Sequence, residues 1–264
     1  MLHKPGVTES LARNIVAARW EDIPLPVRHQ AKRSLREFSG GKTVTVVGRS
    51  ERIDALSAAF LNAAGANVHD FCDTHVRTVI HPTAPVAPAL LAYAELRHAS
   101  GPDVLLAFIL GNEVQSRIGL AISPSHYQRG WHITSTCGVF GAAAGSGKLA
   151  NLGERQMVSA LGIAATQSAG LCECLGTPAK SVSVGNAARN GLWSALLAEQ
   201  GFEGPPEPLA GRAGLLPCFG RDARFISGHR WLGRELGDHG DVLQAVSVRL
   251  RDPSCTRLRA GLAA

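Results

Sequence analysis

The sequence predicts an all-α domain. Three observations carry that reading: apolar residues recur at helical spacing in one segment after another, β-branched residues dominate a single short run, and Ala and Gly crowd the segments that must pack together. In chain order, Thr8 caps a helix that carries Leu11, Ile15 and Val16 toward Trp20. After Ile23-Pro24-Leu25-Pro26, the spacing of Val27, Ala31 and Leu35 runs a second helix to about Phe38, and Ser39-Gly40-Gly41 stops it. Lys42 to Gly48 is β-branched and bounded by glycines, a short strand or extended connector. Ala55, Leu56, Ala59, Phe60 and Ala63 form a helical stripe between Glu51 and about Phe71. Pro85 to His98 and Asp103 to Ala121 are two further helices, parted by Ser100-Gly101-Pro102. Thr136 to Ala150 and Glu154 to Ala169 follow, and Val184 to Gln200 closes the series with Gly201 as its stop. Beyond Gly201 the chain is rich in glycine and arginine with little periodicity, and no internal repeat occurs.

A chain of 264 residues with 45% hydrophobic and 18% charged residues can bury a substantial core, which excludes wholesale disorder. Lys plus Arg number 27 against 21 Asp plus Glu, a net charge of +6 that suits an anionic partner. Basic residues are scattered and aromatics make up only 5%, so a nucleic-acid platform is not expected. Asn112, Glu113 and Gln115 interrupt the best apolar run, so no membrane partner is expected either. The opening Met1-Leu2-His3-Lys4-Pro5 lacks an apolar signal region, and the chain reads as soluble and cytoplasmic. None of the six cysteines forms a CxxC pair, and they read as small buried hydrophobes or incidental thiols. Ala144-Gly145-Ser146-Gly147-Lys148 imitates a phosphate loop, but Leu149 stands where Ser or Thr must hold magnesium, and a close-packed helix is the better reading. No G-x-S-x-G elbow is present.

Chemistry-bearing residues gather in three places. His69-Asp70-Phe71-Cys72-Asp73-Thr74-His75, followed by His81-Pro82-Thr83, lies between two apolar helices. Arg129-Gly130-Trp131-His132-Ile133-Thr134 sits at a loop-to-helix junction, and Pro178-Ala179-Lys180-Ser181 stands just before a helix. Taken singly each has a plain structural alternative: Asp73 and Thr74 as caps, His132 as a packed ring, Lys180 as a solvated side chain.

Together the runs FLNAAGANVHDFCDTH, HPTAPVAPALLAYAE, GNEVQSRI, RGWHITSTCGVFGAAA, ALGIAATQSAGL and AKSVSVGNAARNGLWSALLAEQGFEGP resemble, in order, the pattern of the MmgE/PrpD family. The resemblance covers about residues 8 to 235 and implies a large helical domain with a smaller α+β lid domain, usually as a homodimer. It implies a lyase that uses no metal and no cofactor and acts on small di- or tricarboxylates, as the family's 2-methylcitrate dehydratases and cis-aconitate decarboxylase do. By position, Asp70, Thr74, His81, His132 and Lys180 match residues lining the family's active site, and Asp73 and Arg129 stand in the same motifs as substrate-binding candidates. The side chains suit that chemistry. Lys180 offers a cationic donor to a carboxylate, and an imidazole can move a proton at the adjacent carbon. Asp70 would orient a histidine or hold a substrate hydroxyl, and Thr74 would add a hydrogen bond.

Two departures from the pattern stand out. Near residues 35–39 the first helices pass almost at once into Phe38-Ser39-Gly40-Gly41, where the family has another helix and loop. From Leu236 to Cys255 the family's W-E-I, K-P-Y-P and second H-P are absent, yet synonymous codons for LGDHGDVLQAVSVRLRDPSC, read one base over, encode WEITEMSFKPYPCGSVIHP. The expected organisation is therefore a helical domain over 1–235 and an out-of-frame tail over 236–264, with the lid largely missing and activity impaired. Two rivals remain: a metal-dependent hydrolase built on His69, Asp70, Asp73, His75 and His81, and a non-catalytic helical remnant.

Overall fold

A computed structural model describes Gly41, residues 43–69 and residues 72–219. The chain divides into two compact units, 1–41 and 42–264, and all described residues but Gly41 belong to the second. The two helices expected before Phe38, the deletion near 35–39, Asp70 and the tail 236–264 lie outside the described residues.

The described fold is helical, as the spacing of apolar residues predicts. Its elements are β1 (Val44–Thr45), β2 (Arg52–Ile53), α1 (Ala55–Asn67), α2 (Thr83–Arg97), α3 (Gly101–Ile122), α4 (Ser125–Gln128), α5 (Ile133–Leu149), α6 (Glu154–Ala165), a 3-10 turn at Cys172–Cys174, α7 (Ala179–Glu199) and α8 (Leu215–Phe219). The expected extended run is half of a two-stranded antiparallel hairpin in which Val44 pairs with Ile53 and Thr45 with Arg52. Glu95 of α2 fastens this hairpin to the bundle. Its carboxylate accepts from the Thr45 backbone N–H (2.8 Å) and hydroxyl (2.7 Å) and pairs with Arg52 (2.6 Å), and the Thr45 bonds hold its pKa below the ordinary carboxylate range. Local signals set helix starts: Asp54 accepts from the Ser57 N–H before α1, and Ser100 accepts from the Asp103 N–H before α3.

α5 is the axis of the fold. Every one of its residues except Lys148 is buried, because α2, α3, α6 and α7 pack around it. Small residues make those approaches possible. A Cβ at Gly191 of α7 would lie 2.4 Å from the Ala142 Cβ and 2.6 Å from the Val139 carbonyl of α5. Gly111 of α3 and Gly141 of α5 touch across their backbones in the same way. The phosphate-loop imitation lies inside α5, with Gly145 against Leu90 and the Ala107 carbonyl.

The absence of a membrane-length apolar run needs correction. Over 22 residues, α3 is long and apolar enough to cross a membrane by length and composition. Half of its apolar stretch is buried in the bundle, and Glu113 pairs with Arg117 at 2.6 Å on the same helix, which is the pattern of a core helix.

α2, α5 and α7 run parallel. Their first turns are joined by hydrogen bonds through Thr134 and Ser183, described below, and their last turns meet where Arg97 pairs with Glu199 at 3.1 Å beside Leu149 and Tyr93. Three helix N-termini therefore face one end of the bundle, where the positive ends of their dipoles add.

Candidate active site

The site is built at those three N-termini. The loop before α2 closes a tight turn in which His75 pairs with Ile80, and His75 is itself buried with its Nδ1 2.7 Å from the Thr78 hydroxyl. Next to it, the His81 Nδ1 lies 2.9 Å from the Asp73 carbonyl and 3.2 Å from the Thr74 hydroxyl. A carbonyl only accepts, so Nδ1 carries a proton and donates it, which leaves Nε2 as the lone-pair nitrogen of the neutral ring. The Asp73 carboxylate accepts from the Thr83 N–H (3.2 Å) and hydroxyl (2.8 Å), capping α2 from a distance. Asp73 thus does in this structure what its plain alternative reading describes, and it also lends its carbonyl to His81.

Across the junction, the His81 backbone N–H donates to the Thr134 hydroxyl at 3.1 Å. Thr134 stands in the first turn of α5, directly after the N-cap residue His132 and Ile133. His132 is 3% exposed; its N–H donates to the Gly170 carbonyl (3.0 Å) and its Nδ1 lies 2.9 Å from the Ser183 hydroxyl of α7. Lys180 occupies the first turn of α7, its carbonyl accepting from Ser183 at 2.8 Å, and its charge acts on the Tyr127 phenol. The structure therefore bonds His81 to Thr74 and, through its backbone, to Thr134 of the first turn of α5, while His132 at the head of that helix is tied through Ser183 to the main-chain carbonyl of Lys180, although these residues come from three separate stretches of chain. Arg129 points elsewhere, donating to the Cys218 carbonyl at 3.5 Å.

Several contributors were not singled out in the sequence. Gln115 is fully buried in α3 and donates to the Pro82 carbonyl (2.8 Å) and to Asn112 (2.9 Å), which fixes the bend after His81. Its only sequence signal is an uncharged polar residue where an apolar helix should be buried. Tyr127 and Cys172 share a hydrogen bond, and burial raises the pKa of both. Cys137 is sealed in the core and its thiol is pushed up to about 12, so it stays protonated.

The rival metal reading finds little here. Among the described residues no three His, Cys, Asp or Glu side chains are grouped to hold an ion, and His75 and Asp73 are engaged with Thr78 and Thr83.

A family model of the MmgE/PrpD N-terminal domain matches residues 25–226. The chain belongs to the MmgE/PrpD family. It is 34% identical over 195 residues to a cis-aconitate decarboxylase of Aspergillus terreus, covering 71% of this chain and 40% of that protein. It is 34% identical over 196 residues to the Homo sapiens cis-aconitate decarboxylase, with 72% and 40% covered, and 30% identical over 217 residues to that of Mus musculus, with 78% and 44% covered. The chain thus spans less than half the length of these relatives. Within the family match, the junction falls on the motifs that carry the resemblance: the D-T and H-P words, R-G-x-H, and A-K at the head of α7.

Proposed function

We propose that this chain forms the substrate-gripping wall of a carboxylate lyase site of the MmgE/PrpD type, acting on a small di- or tricarboxylate such as cis-aconitate or 2-methylcitrate. What supports the reading is that His81, His132 and Lys180 stand at or just before the first turns of α2, α5 and α7, which the Thr134 and Ser183 hydroxyls tie together. Positive helix ends favour an anion there, and Lys180, in the first turn of α7, would add an ammonium group. The lyase names of the relatives support the reaction class.

The chemistry follows from the groups. Lys180 pairs with one substrate carboxylate and holds it. In a dehydration, the His81 Nε2 takes the proton from the carbon beside that carboxylate and the ring returns it to the hydroxyl on the next carbon, which leaves as water as the double bond forms. In a decarboxylation, the protonated ring delivers its proton to the carbon that has lost carbon dioxide. Asp70, outside the described residues, keeps the orienting role its motif implies, and assembly as a homodimer belongs to the same proposal.

The test is ligand-dependent stability. Citrate and cis-aconitate at millimolar concentration raise the thermal unfolding temperature of the purified chain, and Lys180→Ala removes most of that rise. A folded chain that neither anion stabilises ends the reading. Metal analysis separates the hydrolase rival, which requires a stoichiometric ion.

A further inference from the structure

Ser183 stands at the point where His132 and Lys180 meet, and nothing in the reaction chemistry above uses it. Its hydroxyl has one proton and two neighbours: the Lys180 carbonyl at 2.8 Å and the His132 Nδ1 at 2.9 Å. The carbonyl can only accept, so the serine proton goes to Lys180 and the oxygen turns a lone pair toward the imidazole. His132 must then carry its proton on Nδ1, with Nε2 as the basic atom.

The serine is itself held in place. Its backbone carbonyl accepts from the Ser135 hydroxyl at 2.9 Å, and Ser135 also reaches the Ala169 carbonyl at 2.6 Å. Residue 183 therefore binds α5 twice, through its main chain to the first turn and through its side chain to the N-cap residue His132. His81 reaches the same tautomer by a different route, the Asp73 carbonyl.

We infer that Ser183 is a positioning residue that fixes His132 as the Nδ1–H tautomer and so presents Nε2 at the junction with Lys180. The inference deepens the lyase reading and rests on it for its purpose. Its geometry is measurable in the chain without any ligand, so the two fail separately: loss of anion stabilisation ends the lyase reading, whereas a wrong tautomer ends this one.

The experiment is imidazole nitrogen NMR on the full 264-residue chain near pH 8, with the His132 signals assigned from a His132→Gln variant. The native chain and Ser183→Thr, which keeps the hydroxyl, show His132 protonated on Nδ1. Ser183→Ala shows a mixed or Nε2–H ring with the helical circular dichroism retained. A native His132 protonated on Nε2, or a Ser183→Ala chain that keeps the Nδ1–H form, overturns the inference. Should Ser183→Ala fail to fold, the native and Ser183→Thr spectra decide it by the same criterion.

Discussion

The backbone N–H of His81 donates to the side-chain hydroxyl of Thr134, 53 residues further along the chain, at 3.1 Å. One bond thereby joins the bend that carries one imidazole to the helix turn that follows the other.

Thr134→Val keeps the shape of that side chain and removes its acceptor. Thr134 is 1% exposed, so the His81 N–H would be left facing an apolar group. Stability is expected to fall by about 1–3 kcal/mol, the cost of a buried donor without its partner. The rise in unfolding temperature caused by citrate should fall with it, whereas Thr134→Ser should keep both. Thermal melts of the three proteins with and without citrate check this. Equal melts for the Val variant and the native chain would remove the bond from the account of the site.

His126 gives the fold a pH dependence of defined sign. It is fully buried, stacked on Trp131 with ring centroids 6.1 Å apart and edge-on to Phe219 at 4.9 Å. Its Nε2 lies 2.7 Å from the Thr136 hydroxyl, and Nδ1 has no hydrogen-bond partner among the described residues. Burial first, and then the Arg129 charge, push its pKa down to about 4. Because the folded value lies below the unfolded one, the unfolded chain takes up the proton first. The contribution is whole above about pH 6.5 and is lost as pH falls toward 4, amounting to about 3 kcal/mol at most. Denaturant titrations between those pH values should show a shallower slope for His126→Asn than for the native chain. Parallel slopes would discard this explanation.

Val79 shows a different kind of stress. It is β-branched with φ at +56°, in the tight turn that ends just before His81, and 47% of it is exposed. The left-handed region costs an L-residue with a Cβ roughly 1–2 kcal/mol. Val79→Gly removes that cost and adds some freedom to the unfolded chain, so the net expectation is a gain of about 0.5–1 kcal/mol. A chemical denaturation midpoint that drops in the Gly variant would show that the valine contributes more by packing than it loses by strain.

What the sequence made legible was the six long helices between Ala55 and Glu199 and the words at their heads, and what it hid, the short α4 and α8 included, has physical reasons. Helix α5 was expected to begin at Thr136 and begins at Ile133, because a helix buried on all sides has no polar face to mark its register. Helix α7 was expected from Val184 and begins at Ala179, since the turn Lys180-Ser181-Val182-Ser183 has a single large apolar residue, Val182, which is exposed, so the buried apolar stripe starts only at Val184. Lys180 is consequently inside a helix and not before one. The same polar turn concealed Ser183. Gln115 was concealed differently: its partner is a main-chain carbonyl at Pro82, and no spacing of side chains encodes a bond to a carbonyl 33 residues earlier. Asp73 and Thr74 were readable as polar residues, but only the fold assigns the Asp73 carboxylate to Thr83 and its carbonyl to His81.

The last expectation concerns turnover. Decarboxylation and dehydration need the substrate fixed against the proton-carrying group with water kept out. In this fold the junction has an open rim: His81 and Lys180 are only partly buried, and Val76, Leu171 and Val182 beside it are exposed. The chain also spans 40% of the length of the Aspergillus terreus decarboxylase. Synonymous codons exist for Leu236 to Cys255 that, read one base over, would give the K-P-Y-P and H-P words the resemblance implies there. We therefore expect the purified chain to be stabilised by citrate while releasing no carbon dioxide from cis-aconitate and no water from 2-methylcitrate. The nucleotide sequence across Leu236 should contain the shifted frame, and restoring that frame should restore turnover, which Lys180→Ala then abolishes. Measurable turnover by the 264-residue chain as it stands, or a nucleotide sequence with no K-P-Y-P frame, would refute the argument from the open rim and the argument from the tail respectively.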